Sequence, residues 1–481
     1  MLYSTLCLIA LGSGGVRGSL PALGADQFNP KDPKEKKALA RYFNYLLLSI
    51  TAGACFGVTL IAYYSVYKSW AVGFLISMIG VCLAFIFVVL GRPFYRVVPF
   101  GDSPIITITK VIVAAFRNRK LVFPENHNEL YEVSDKELSF DQEKIPPTDQ
   151  FRCLGKASII RENSTPEPWT VCTVTQVEEV KILTRMLPII FSTVIMNTCL
   201  AQLQTFSVQQ GYIMQLTVGK FDVPPTAIPV IPLFFMSILV PIYEFLFIPF
   251  ARKYTKHPNG ISQLQRVGVG LVLSIVSMTV AGLVEVKRRN HANSHPPEKI
   301  SLLWLSFQYG IFGIADMFTL VGLLDFFYQE APSGMKSLST SFTFLSLSLG
   351  YYLSGVFVDI INAITERVTE NKKGWLHGNN LNTNNVNLFY WFLAILSCLN
   401  FANYLYWASW YKYKNVDLDF KPKLKASNES PLRKEEETNE GVEERRISAS
   451  SPEYKEIIKV KGEKTEESQV GEALKHIKNQ S

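Results

Sequence analysis

Arg17 and Asp316 are ionisable residues set inside apolar stretches, and chemistry would begin at them. An ionised side chain at mid-bilayer costs about 2.5–3.5 kcal/mol on the insertion scale. A stretch that keeps one there has a cavity, a partner or a proton to offer it. Arg17 lies in Gly12-Ser-Gly-Gly-Val-Arg17-Gly-Ser-Leu-Pro21. Pro21 gives no N–H to the Arg17 carbonyl and its ring crowds it, so a kink or loosened turn is expected beside the guanidinium. Gly12, Gly14, Gly15 and Gly18 let a neighbouring helix come close. The alternative is a guanidinium that snorkels to the interface. Asp316 is too short to snorkel, so it faces the interior, is neutral, or is paired. Asn197, Gln202 and Gln204 add neutral hydrogen-bonding groups, either lining a pocket or joining helices. Asp325 follows Asp316 by nine residues, on about the opposite helix face. Asp325, and Glu244 just before a basic loop, read as structural or gating contacts, as does Pro21.

Other chemistries lack their residues. The chain has no phosphate-binding loop, no Gly-x-Ser-x-Gly elbow and no His/Cys cluster with metal-ligand spacing. Neither an enzyme nor a metal or organic cofactor is expected. Secondary transport is the leading reading, and a membrane receptor or scaffold is the alternative. Charge at mid-membrane favours transport, because a scaffold has no need to hold it there.

The elements that must carry these residues are membrane spans. Apolar stretches run over 2–23, 42–64, 70–90, 182–203, 228–250, 267–286, 302–328, 338–364 and 388–411. About 20 helical residues cross a hydrocarbon layer of about 30 Å. The chain of 481 residues is 48% hydrophobic and 12% aromatic, which suits nine spans. The net charge of +7 sits mainly in loops and tail, favouring an anionic lipid surface over nucleic acid as partner. Residues 1–15 lack a basic n-region and read as a span rather than a signal peptide. Basic residues crowd alternate loops: 29–41, 91–181 and 251–260. These loops are therefore expected on the cytoplasmic side. Lys287, Arg288 and Arg289 dissent, falling outside by parity. Of seven cysteines, only Cys153 and Cys172 lie in a large loop, and no disulfide framework is expected.

The domain reading follows. Residues 1–92 hold three spans, 93–181 a linker, 182–413 six spans and 414–481 a charged tail expected to be disordered. Within the linker, 104–116 is too short to span and reads as an amphipathic helix at the inner surface. Arg445-Arg-Ile-Ser448 suits a basophilic kinase.

From end to end the chain resembles the proton-coupled oligopeptide transporter family, and closely its plant nitrate–peptide branch. The matching stretches include Gly12-Ser-Gly-Gly-Val-Arg, Gly24-Ala-Asp-Gln-Phe28 and Tyr42-Phe-Asn-Tyr. Further ones are Ala115-Phe-Arg-Asn-Arg-Lys-Leu121, Glu178-Glu-Val-Lys, Arg185-Met-Leu-Pro188 and Ala201-Gln-Leu-Gln-Thr-Phe-Ser-Val208. The second half adds His257-Pro-Asn-Gly260, Leu264-Gln-Arg-Val-Gly268 and Leu324-Asp-Phe-Phe-Tyr-Gln-Glu-Ala-Pro-Ser-Gly-Met-Lys-Ser337.

The resemblance implies an all-α major facilitator fold, two six-helix bundles with a pocket between them, and proton symport of a small solute. The first span here matches the family's fourth. The fold is thus expected to be incomplete, with half of the N-terminal bundle and without the family's E-x-x-E-R motif. Proton-driven uptake by the chain alone is not expected, and an inactive form acting as a membrane scaffold is one alternative. Arg17 stands where many members carry a lysine, and Asp316 where they usually carry Glu. Leu200 stands where nitrate carriers place a histidine. The run from Asn197 to Val208 looks most like the branch that carries plant hormones such as abscisic acid and gibberellin. The implied cargo is an amphipathic organic acid, with nitrate or a di- or tripeptide as alternatives. The plasma membrane is the expected location, with the vacuolar membrane next.

Overall fold

In hydrocarbon a backbone N–H or C=O finds no water, so an apolar stretch satisfies these groups within its own helix. The computed structural model describes residues 2–29, 32–96, 103–124, 130–132, 144–160, 169–218, 221–222, 225–255, 261–295, 298–369, 373–378, 381–411 and 413. Twelve α-helices follow in order among them. They are α1 (Leu2–Ala25), α2 (Pro33–Tyr67), α3 (Trp70–Gly91), α4 (Pro104–Arg117), α5 (Arg152–Gly155) and α6 (Val174–Ile213). Then come α7 (Val230–Ile242), α8 (Ile248–Thr255), α9 (Gln263–Ser294), α10 (Leu305–Glu330), α11 (Lys336–Val368) and α12 (Val386–Trp410). Nine segments among the described residues are long and apolar enough to cross a membrane, in the order of the nine sequence spans. The tail with Ser448, and His257-Pro-Asn-Gly260, lie outside the described residues.

Several helices outrun their apolar stretches, for reasons of capping. The basic segment before the second span is helical from Pro33. Asp32 caps it by accepting from the Lys34 N–H, and proline suits the first helical position. The sixth helix begins at Val174, so the expected boundary at 181 falls inside it. Thr173 and Gln176 form a capping box there. Ser262 and Gln265 repeat that box at the start of α9. The expected single span at 228–250 is not a regular helix. After Pro241 the chain winds into a π-helical turn, Tyr243–Phe247, before α8 resumes. Proline removes one hydrogen bond of the ladder, and a wider turn accommodates the loss. Glu244 sits in that turn.

The packed centre lies in α6, α9, α10 and α12. Small residues set the spacing. A Cβ on Gly350 of α11 would stand 2.4 Å from Asn197 Cβ of α6, so glycine is what lets these two helices touch. Ser346, Gly350 and Ser354 form a small-residue stripe at every fourth position, and α6 bonds to it throughout. Asn197 donates to Ser346 Oγ at 3.0 Å, Thr198 to the Gly350 carbonyl at 3.2 Å, and Gln202 to the Ser354 carbonyl at 2.7 Å. By contrast, α3 buries only Gly73, and α1 only Pro21, Ala22 and Ala25.

The dissenting cations at the end of α9 are held within the protein. Arg288 is paired with buried Glu285 at 2.7 Å and donates to Asn382 Oδ1, also at 2.7 Å. Arg289 donates to Asn385 Oδ1, and Lys287 Nζ stands 3.5 Å over the Trp304 ring. A cation held by contacts within its own fold is a weaker orientation signal than a free one.

Linker residues pack on the first turns of α6. Val111, Ala114 and Ala115 of α4 join Ala157, Cys172, Val177 and Val180 in one cluster. Beside it Glu178 accepts from Thr148, Lys181 and Arg185. Burial pushes the Cys172 thiol up to about 11, against the opposing pull of Lys110. A raised thiol stays protonated and inert at pH 7.5. Exposed Cys153 should therefore react with maleimide at least about tenfold faster than Cys172 in the native protein. Peptide mapping after timed labelling checks this, and equal rates in native protein would contradict it.

Candidate functional site

Arg17 is positioned by the packing of α1 on α11. The Thr340 hydroxyl lies 3.5 Å from the Gly18 carbonyl, and a Cβ on Gly18 would stand 2.8 Å from Ser341 Oγ. Gly18 is thus the contact glycine. At Gly12, Gly14 and Gly15 a Cβ would meet nothing within 4 Å. α1 stays helical through Pro21 to Ala25. Pro21 is buried, and its carbonyl lies 3.3 Å from the Tyr42 hydroxyl of α2.

The Arg17 side chain is exposed, with no hydrogen bond or ion pair among the described residues. It acts electrostatically on Tyr351 of α11, and so does Asp316 of α10. The Tyr351 hydroxyl donates to Gln204 Oε1 of α6. The Tyr351 hydroxyl therefore bonds Gln204 and lies within electrostatic reach of Arg17 and Asp316, on side chains from four helices. Asp316 is half-buried and likewise has no hydrogen bond or ion pair among the described residues. Leu200 is half-buried on α6 and offers only apolar surface.

Two sequence candidates are placed differently. Gln202 is buried and its amide is spent on the Ser354 carbonyl, so it joins helices rather than lining a pocket. Asn197 is half-buried, and its amide is committed to Ser346 in the same seam. Tyr351 was not singled out in the sequence. An aromatic residue in an apolar span carries no periodic or charge signal, and only the fold shows what surrounds it.

Glu244 and Asp325 belong to a second polar group. Glu244 accepts from Asn44 Nδ2 at 2.6 Å and pairs with Arg41 Nε at 3.1 Å, both on α2. Asn44 in turn accepts from Arg266 Nη2 of α9 at 2.9 Å. Arg266 lies over the Tyr243 ring, 4.5 Å from its centroid, and acts electrostatically on Asp325. Asp325 accepts from Gln329 one turn on. Nearby, Asp26 of the Gly-Ala-Asp-Gln-Phe stretch accepts from Tyr328 at 2.7 Å and lies 3.8 Å from Lys336. These contacts tie the end of α1 and the start of α2 to the π turn, α9, α10 and α11. A cleft of about 500 Å³ beside them is lined by Phe28, Lys34, Arg41, Tyr42 and Tyr45, and includes neither Arg17 nor Asp316.

A helical membrane protein with unpaired charge between packed spans has the build of a solute carrier, and comparison with known proteins bears on that class. In fold the chain is similar to the crystal structure of an auto-inhibited POT family peptide transporter. The TM-score is 0.56 at 18% identity, over 84% of this chain and 76% of that one. The POT family transporter PepTSo gives the same TM-score at 20% identity, over 84% and 78%. The model of the POT family matches residues 1–376. Protein NRT1/PTR FAMILY 4.5 of Arabidopsis thaliana is 44% identical over 423 residues, 86% of this chain and 73% of that protein. Protein NRT1/PTR FAMILY 4.6 of the same plant is 41% identical, over 86% and 75%. The chain belongs to the POT family, within its NRT1/PTR relatives. That is a family of multi-pass membrane transporters, not enzymes.

Proposed function

We propose that the chain serves secondary transport of an amphipathic organic acid, bound between α1, α6, α10 and α11. The observation that carries this is the unpaired Arg17, which shares the surroundings of Tyr351 with Asp316 and Gln204. A carboxylate suits a fixed guanidinium that keeps its proton at any physiological pH. Leu200 suits the apolar body and offers nitrate no donor. Asp316 is the carboxylate that would serve proton coupling in a transporter with both six-helix bundles. Glu178, Glu244 and Glu285 are each paired with a cation, and among the described residues Asp316 is not. A dipeptide is the second reading, because Asp316 suits an amino terminus and the solved relatives include peptide transporters.

The test is competition binding to the purified chain in nanodiscs. A labelled hydrophobic carboxylic acid should be displaced by its own unlabelled form, weakly by a dipeptide and not by nitrate. Displacement by nitrate alone, or no binding of the acid, would overturn the proposal.

A further inference from the structure

The short helix α4 has two apolar faces, and only one of them is used. Thr107, Val111 and Ala114 recur at helical spacing and are buried against the linker and α6. About half a turn away, Ile105, Ile112 and Phe116 form a second stripe, exposed by 66%, 52% and 65%. Ile106 and Val113 widen it. The helix cannot roll to hide this stripe. Asn118, at its C-terminal cap, donates to the carbonyls of Lys156, Ile159 and Thr170 at 3.2–3.4 Å. Lys156 donates to the Arg119 carbonyl at 2.8 Å.

Cations stand at one end of the stripe. Arg117, Arg119 and Lys120 are all exposed, and Arg119 lies over the Phe116 ring at 4.5 Å. The position relative to the membrane follows from α6. The buried face rests on Val177 and Val180, while the last charge before the apolar run of α6 is Arg185. Val180 and Met186 are about 9 Å apart along a helix, roughly the depth to which an interfacial helix sinks. Arg117, Arg119 and Lys120 form a basic cluster, and the short loops 29–41 and 251–260, on the same side by parity, are basic, so the side concerned is the one with the anionic leaflet.

We infer that the outer face of α4 docks on the anionic phospholipid of that leaflet. Ile105, Ile112 and Phe116 enter the acyl boundary, and Arg117, Arg119 and Lys120 meet phosphate. Lipid composition would thereby fix the linker that packs on the first turns of α6. The inference does not depend on which solute is carried.

Hydrogen exchange of the full chain in nanodiscs tests it. Exchange over 104–120 should be slower in phosphatidylserine-containing nanodiscs than in pure phosphatidylcholine, and salt should reverse the difference. Each cation is expected to contribute about fivefold to docking, and the three together about a hundredfold. The R117Q/R119Q/K120Q variant should exchange in phosphatidylserine as the wild type does in phosphatidylcholine, with α12 unchanged as the folding control. Equal exchange over 104–120 in the two lipids would overturn the inference. So would slow exchange that persists in neutral lipid and high salt, the mark of a protein partner or second copy covering the face.

Discussion

Replacing Glu285 with alanine should destabilise the α9–α12 end of the protein by about 3–5 kcal/mol, the cost of leaving a buried ion uncompensated. The carboxylate is fully buried, and Arg288 is only 3% exposed. Both oxygens are used. Oε2 accepts from Arg288 Nε at 2.8 Å and from Gln210 Nε2 at 2.6 Å, and Oε1 accepts from Arg288 Nη2 at 2.7 Å. Alanine strands the guanidinium and one amide at once. Glu285→Gln should cost less, because it still receives hydrogen bonds. Glu285→Leu with Arg288→Met should recover much of the loss, since removing both charges removes the desolvation problem. Thermal unfolding of the three variants in one detergent checks this order. A Glu285→Ala protein that melts with the wild type would show that the pair contributes nothing.

The spans were legible because length and apolar content suffice to identify them, and all nine fall where the sequence places them. Their ends were not. Helices α2 and α6 begin in polar sequence, where capping by Asp32 and Thr173 decides the start and hydropathy is silent. The π turn at Tyr243–Phe247 has one sequence signal, Pro241, and that signal leaves open whether the helix bends, breaks or widens. Glu244 was singled out from charge alone, and its partners Arg41, Asn44 and Arg266 come from helices remote in sequence. Gln202 and Asn197 illustrate the opposite limit. A polar side chain in a span joins helices or lines a cavity with the same sequence signature. The stripe of Ser346, Gly350 and Ser354 decides for the first.

Glu178 and Lys181, and Glu285 and Arg288, are spaced three apart on their helices. That spacing is the sequence signal of a charge paired on its own helix. Arg17 and Asp316 have no such neighbour, but neither do Glu244, Asp325 and Asp359, and for these residues only the fold shows which charge is paired.

Arg17→Ala should weaken binding of the organic acid by about 10- to 150-fold, from about 1.5–3 kcal/mol for a hydrogen bond to a charged group. The lower part of the range suits a side chain as exposed as this one. Arg17→Lys should fall between, keeping the charge but losing the planar fork that grips a carboxylate at two points. Stability should hardly change, because Arg17 has no hydrogen bond or ion pair among the described residues to lose. The most direct measurement sets the acid against its uncharged methyl ester, on wild-type protein and on Arg17→Ala. Such a cycle isolates the carboxylate–guanidinium interaction from everything the two ligands share. The expected result is strong preference for the acid in the wild type and equal affinities in Arg17→Ala. The same preference for the acid in both proteins would contradict a site built on Arg17.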